Sequence, residues 1–195
     1  MRDPESVIIT ENRVIFDLIY GWGKQRWFAV DEYLICCLKH ALECNGAILE
    51  CGSGLTTIMV GAIMQKSGNT IWSLEHSQAW GDRTKKYLNK YQINSVCLCI
   101  KPLKDYGEFS WYDPSFDSMP DKFDLVICDG PPRKTRGGRY GLLPIMRKKL
   151  KPNSIILLDD AAREQEQAIS TRWKNEFKTS YEIQGSKKPF IRITA

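Results

Sequence analysis

Five brief apolar runs, each bounded by Gly, Pro, Asn or Asp, recur along the chain: AILEC (47–51), TIWSLE (70–75), SVCLCI (95–100), FDLVICD (123–129) and SIILLDD (154–160). They are rich in β-branched and apolar residues and too short for buried helices, so they read as strands. Their nearly continuous apolar character suits a sheet covered on both faces, which points to parallel pairing. Helix-like stretches alternate with them. Residues 55–68 place Ile58 with Ala62, and Met59 with Ile63, at helical spacing and end on Gly68. Residues 77–91 begin at a Ser N-cap candidate, and 161–177 form a polar helix with one apolar side. Residues 141–150 set Leu142, Leu143, Met146 and Leu150 along one face, with Pro144 tolerable only near the first turn. An amphipathic helix over 31–42 leads into the first strand.

Two more runs, SYEIQG (180–185) and PFIRITA (189–195), are separated by a few residues around Gly185. That gap is too short for a crossover helix, so these strands are expected as an antiparallel hairpin at one end of the order. The chain of 195 residues is long enough for one domain with a substantial core and short for two. Residues 1–45 are expected as an N-terminal segment and helix capping the site, and 46–195 as the core.

With 43% hydrophobic and 26% charged residues, the composition is that of a globular protein. The net charge of +5 is too weak to argue for nucleic-acid binding unless it is concentrated. It is partly concentrated: Arg133, Lys134, Arg136, Arg139, Arg147, Lys148, Lys149 and Lys151 follow Gly130 with no acid among them. Seven cysteines, no CxxC pair and only two histidines argue against a disulfide framework and a zinc site. No apolar run reaches the length of a membrane span or a signal peptide. A reduced, cytoplasmic, soluble protein is expected.

In an open α/β sheet, ligands sit beyond the carboxyl ends of the strands. Glu50, Gly52, Ser53 and Gly54 form a tight turn that opens a helix, where backbone N–H groups can approach a ligand. The third glycine of a dinucleotide fingerprint is replaced by Thr57, and a P-loop's Lys is missing. The acid before the glycines suits a cationic or amine-bearing ligand better than a phosphate. Glu75 ends the second strand about twenty residues later, placed to accept both hydroxyls of a ribose. Asp129, Asp159 and Asp160 follow two strands expected to be neighbours. They would repel one another unless something positive lay between them, and oxygen ligands suit magnesium, manganese or calcium. Equally, Asp160 can cap the helix at 161–177, and Asp129 can open a turn.

Glu-x-Gly-x-Gly after the first strand, an acid ending the second and an Asp after the fourth resemble the class I S-adenosylmethionine-dependent methyltransferases, over roughly residues 30–195. The resemblance implies a Rossmann-like, seven-stranded, mostly parallel sheet with helices on both faces and a C-terminal antiparallel hairpin. By it, Glu50, Gly52, Ser53 and Gly54 border the methionine portion of the cofactor. Glu75 takes the ribose hydroxyls, His76 lies beside the adenosine, and Leu103 and Lys104 belong to the adenine pocket. Within the class, CDGPP…RY…LKPNSIILLDD is similar to the catechol and caffeoyl-CoA type of O-methyltransferase. There, an acid after strand four and an acid–Asn pair after strand five hold a divalent metal such as Mg2+. Asp129, Asp159 and Asp160 match those positions, with Asp160 in place of the asparagine. The Gly-Pro-Pro after Asp129 departs from that subfamily and is shared with bacterial methyltransferases that carry an Asp-Gly-Pro-Pro loop.

The expected reaction is methyl transfer to an oxygen of a small or anionic acceptor. Asp129 faces the methyl group, either as metal ligand or as base, with Lys134 and His76 as the other candidate bases. The loop with Arg133, Arg136, Arg139 and Tyr140 lies where the family builds its acceptor wall, and its arginines suit a carboxylate, phosphate or sulfate. Trp22, Trp27, Trp111 and Tyr112 are candidates to cover the acceptor. His40 is expected to be structural. The alternatives are methylation of RNA or protein, a basic RNA-binding module, a nicotinamide dehydrogenase and a spermidine-synthase-like transferase.

Overall fold

The computed structural model describes residues 13–23 and 31–195. Two helices come first, α1 (Arg13–Trp22) and α2 (Asp31–Glu43). Then β1 (Ala47–Cys51), α3 (Leu55–Ser67), β2 (Ile71–Glu75), α4 (Gln78–Lys90) and β3 (Val96–Ile100) alternate as expected. A short antiparallel pair, β4 (Lys104–Asp105) and β5 (Ser110–Trp111), interrupts the segment before β6 (Phe123–Cys128). The remainder is α5 (Leu142–Met146), β7 (Leu150–Leu158), α6 (Glu164–Phe177), β8 (Ser180–Gln184) and β9 (Phe190–Thr194).

The main sheet has seven strands in the order β3-β2-β1-β6-β7-β9-β8. The first five pair in parallel, while β9 runs antiparallel to both β7 and β8. The fold is therefore the Rossmann-like sheet with a terminal hairpin. Because side chains alternate across a strand, each central strand feeds two cores. Ile48, Leu125, Ile127 and Leu157 join residues of α2 and α3 on one face. Leu49, Val126, Cys128 and Leu158 join Trp111, Leu142, Met146 and Trp173 on the other. Each such aliphatic side chain contributes about 1.5–3 kcal/mol when fully buried. Two polar fasteners cross these layers: Tyr33 Oη donates to the Leu157 carbonyl (3.0 Å), and Trp173 Nε1 donates to the Tyr140 carbonyl (3.0 Å).

Several boundaries differ from the sequence reading. The helix expected over 141–150 is a single turn of α helix followed by a 3-10 turn over Arg147–Lys149. Pro144, inside that turn, cannot donate to a longer helical ladder. β7 starts four residues early because Leu150 already pairs with Phe123. The helix expected from 161 begins at Glu164, with Arg163 as its N-cap residue, so Asp160 is not the cap. Ser77 does cap α4, its hydroxyl accepting from the Trp80 N–H, and Gly68 ends α3 in the left-handed conformation. All seven cysteines are free. Among the described residues, no helix is long and apolar enough to cross a membrane.

Candidate active site

The strand order reverses between β1 and β6, and there the carboxyl ends of both strands open onto a cavity of about 530 Å3. It is lined from Gly52, Ser53, Glu75, His76, Ser77 and Trp80 on one side. Tyr112, Asp129, Gly130, Pro132, Arg133 and Lys134 line the other. Sheet-like hydrogen bonds continue past the strand ends: Gly52 N–H to the Leu74 carbonyl, Asp129 N–H to Cys51, and Asp159 N–H to Cys128, at 2.9–3.1 Å. These bonds hold the acids at one level.

The floor is bare backbone. Gly52 has φ +93°, a conformation that disfavours side chains, and a Cβ there would lie 3.0 Å from the Gly130 nitrogen. A Cβ on Gly130 would lie 3.0 Å from the Gly52 Cα and run into the Tyr112 hydroxyl. The Gly130–Pro131 peptide is cis.

On the β1–β2 side, the acids are held by neutral donors. Glu75 Oε2 accepts from the Ser53 N–H (3.0 Å) and hydroxyl (2.9 Å), and Oε1 from the His76 and Ser77 N–H groups (both 2.8 Å). Burial works against the ionised form, but the bonds from His76, Ser77 and Ser53 outweigh it and keep the Glu75 carboxyl below its ordinary range. His76 Nδ1 lies 3.2 Å from the same Oε1. Glu50 is buried under the turn, where the Thr57 and Ser73 hydroxyls both donate to its Oε2 (2.6 and 2.5 Å). Its Oε1 is buried without a partner. Burial pushes the Glu50 carboxyl up to about 8, against the Ser73 and Thr57 bonds. Trp80 closes this wall, its indole N–H donating to the Ser53 carbonyl. Trp22 of α1 packs edge-on against Trp80, their ring centroids 6.3 Å apart.

The β6–β7 side is held by cations. Arg139, 2% exposed, donates from Nη1 to the Asp159 carbonyl (2.7 Å). From Nη2 it reaches the Asp129 carbonyl (2.8 Å), Asp129 Oδ1 (3.0 Å) and Asp160 Oδ2 (2.9 Å). Lys188, from the loop between β8 and β9, bonds Asp159 Oδ2 (2.7 Å) and lies 3.3 Å from Asp160 Oδ1. Arg163 lies 2.6 Å from Asp160 Oδ2. Burial and then Asp159 push the Asp129 carboxyl above its ordinary range, and Arg139 pulls it back. Burial lowers the Lys188 ammonium, but Asp159 and Asp160 more than offset this and hold it above its usual value.

The structure thus brings together Gly52, Ser53, Glu75, His76, Asp129, Arg133 and Lys134 at one cavity, while Glu50 lies beneath the turn and Gly54 opens α3. The basic loop divides. Arg133 and Lys134 face the cavity, Arg136 pairs with Asp105, and Arg139 is turned inward, away from the exposed position expected for an acceptor clamp. Tyr140 is also buried, its hydroxyl donating to Glu176 (2.6 Å), and does not line the cavity. Leu103 and Lys104 do not line it either; Leu103 packs on the second core and Lys104 pairs with Asp113 (3.6 Å). Trp111 is core, Tyr112 is wall, and Trp27 lies outside the described residues. His40 is half-buried on α2 and does not line the cavity. Lys188, Arg163 and Trp80 were missed as site residues. Arg163 had a signal, three residues after Asp160; Lys188, in a loop next to a proline, had none.

The carboxylates of Asp129, Asp159 and Asp160 offer oxygens within 4.8 Å of one another, a spacing compatible with a cation. Their charge is already met by Arg139, Lys188 and Arg163, so the set does not fit a divalent ion. The β1–β2 half does fit a cationic nucleoside, with a backbone cradle at Gly52 and an orphaned buried oxygen on Glu50.

A family model described as a methyltransferase domain matches residues 49–161, more than half of the chain. The chain belongs to this family. The methyltransferase has the class I S-adenosylmethionine-dependent fold, and solved structures share it at low identity. An O-methyltransferase from Bacillus cereus, in complex with S-adenosylhomocysteine, is 17% identical with a TM-score of 0.64, covering 98% of this chain and 90% of that one. A Staphylococcus aureus protein assigned as a caffeoyl-CoA O-methyltransferase is 15% identical, TM-score 0.70, covering 94% and 93%. A precorrin-6y C5,15-methyltransferase from Geobacter metallireducens is 16% identical, TM-score 0.64, covering 88% and 90%. No curated protein sequence matches the methyltransferase significantly.

Proposed function

We propose that this methyltransferase transfers the methyl group of S-adenosylmethionine to an oxygen of a small acceptor that carries an anionic group. The observation that carries the reading is the unequal charge of the two walls. Among the described residues no lysine or arginine bonds Glu75 or Glu50, so Glu75 keeps negative charge on the β1–β2 wall for a sulfonium, while Glu50 holds its proton to about pH 8 until a cation arrives. A pyrophosphate would be repelled there, which counts against a nicotinamide cofactor. Glu75 would take the ribose diol in exchange for the Ser53 hydroxyl, which has a second partner in Thr84 at 3.2 Å. The cofactor's ammonium beside Glu50 Oε1 would favour loss of the Glu50 proton and pair with the carboxylate so formed.

The acceptor enters by the opposite wall. Arg133 and Lys134 are exposed, line the cavity and have no ion pair among the described residues, which suits an anionic substituent. Oxygen is favoured because Asp129 is the acid on that wall and can take a hydroxyl proton. In the step, the acceptor oxygen's lone pair forms a bond to the methyl carbon. The carbon–sulfur bond breaks with its electrons left on sulfur, and the hydroxyl proton passes to Asp129. Holding the two reactants in line can supply about 7–11 kcal/mol of the barrier. A cytoplasmic location and an N-terminal segment and helix over residues 1–45 that cap the site belong to the same proposal.

Calorimetry tests it. S-adenosylhomocysteine should bind and NADH should not, and Glu75→Ala should weaken the former by roughly tenfold or more. Unchanged affinity in that variant would remove the ribose assignment.

A further inference from the structure

The acids that follow β6 and β7 occupy the place where the resemblance to catechol-type enzymes implied a divalent metal. We infer that Arg139 and Lys188 stand in for that metal, and that this methyltransferase works without a divalent cation. The inference rests on the methyl-transfer reading and specifies how its acceptor wall is held.

Of the oxygens these three acids offer a metal, all but Asp129 Oδ2 are already engaged. Asp129 Oδ1 and Asp160 Oδ2 accept from the Arg139 guanidinium at 3.0 and 2.9 Å. Asp159 Oδ2 takes Lys188 at 2.7 Å, and Asp159 Oδ1 takes the Asp160 N–H at 2.7 Å. A magnesium ion asks for near-octahedral oxygen at about 2.1 Å, and calcium for six to eight oxygens at about 2.4 Å. Either would have to strip these donors and sit beside two fixed positive charges. Arg139 is not free to leave. Its Nη atoms also bond the main-chain carbonyls of Asp129 and Asp159 (2.8 and 2.7 Å), so the planar fork is fastened to the ends of two strands.

A guanidinium does part of what a metal does there. It ties Asp129, at the cavity wall, to Asp160 and to the end of β7, and it compensates their charge. It also leaves Asp129 Oδ2 without a hydrogen bond among the described residues, so that oxygen stays open to the acceptor's proton. Arg139 is then a positioning residue that acts through Asp129. A metal would instead take up the acceptor's hydroxyl itself and lower its pKa.

The test is a manganese titration of the full chain after EDTA treatment and desalting, followed by calorimetry and by melting temperature. The wild type should show no saturable Mn2+ binding into the millimolar range and no shift in melting. Lys188→Ala, at a partly exposed position, should gain saturable Mn2+ binding in that range, and its melting temperature without metal reports the cost of leaving Asp159 short of a cation. Adding Asp159→Asn should abolish the gain. Saturable Mn2+ binding by the wild type that disappears in Asp159→Asn would overturn the inference; a Lys188→Ala protein with no gain would overturn the part given to Lys188 and leave Arg139 as the stand-in. S-adenosylhomocysteine is titrated in parallel. Failure to bind it removes the methyl-transfer reading, whereas Mn2+ binding with S-adenosylhomocysteine affinity intact removes only the metal-free one.

Discussion

Two pairs of strand ends meet at the cavity, β1 with β2 and β6 with β7, and each presents buried acids. The first pair satisfies Glu50 and Glu75 with hydroxyls and backbone N–H groups. The second satisfies Asp129, Asp159 and Asp160 with three cations, the guanidiniums of Arg139 and Arg163 and the Lys188 ammonium. At Glu75 the neutral donors stabilise the carboxylate and leave its charge in place, whereas cations cancel the charge of the second group. One half of the site therefore attracts a positive ligand, and the other offers a neutral, rigid frame. The same functional group at the carboxyl ends of the same sheet does opposite work because its neighbours differ.

The largest effect that breaks this contrast is at Arg139. Arg139→Met should cost about 3–5 kcal/mol of stability, because it leaves Asp129 and Asp160 short of a buried counter-charge. Urea unfolding measures it, and an unchanged midpoint would mean the cations do not hold that half together. Next comes Glu50, whose carboxyl keeps its proton to about pH 8 in the fold but loses it near 4.5 when unfolded. The folded state binds the extra proton, so its contribution is complete below the unfolded value and is lost as pH rises through the folded one. Stability of the ligand-free protein should fall by a few kcal/mol between about pH 5 and about pH 8. Glu50→Gln should flatten that slope, and a slope identical to wild type would place the proton elsewhere. The smallest effect on stability is at the exposed pair. Arg133→Ala with Lys134→Ala should move the unfolding midpoint by no more than about 0.5 kcal/mol. It should raise the KM for an anionic acceptor while S-adenosylhomocysteine affinity stays unchanged. Equal losses for both ligands would erase the division of labour between the walls.

The first half of the site was legible in the sequence, and the second only in outline. Glu50, Gly52, Ser53 and Glu75 announce themselves because a strand, a glycine turn and an acid at fixed spacing are local features. Asp129, Asp159 and Asp160 were legible as acids that needed a positive partner, yet the partner was not. Arg133, Lys134, Arg136 and Arg139 look alike as a run of charge, and only the turns over 132–140 decide which one points inward. Lys188 reaches Asp159 from 29 residues away, across a hairpin whose register no local pattern records. The fold followed from alternation and loop length, whereas β4 and β5, two residues each, are too short to leave a period.

The contact between Gly52 and Gly130 carries a consequence for engineering. At that point the cavity is walled by main chain alone, so there is no side chain to trim or enlarge, and any added atom would wedge β1 from β6. Retuning this catalyst toward a new acceptor must therefore proceed from the sides of the cleft, at Tyr112 and at 132–134, with the seam between the two strands left as a fixed datum.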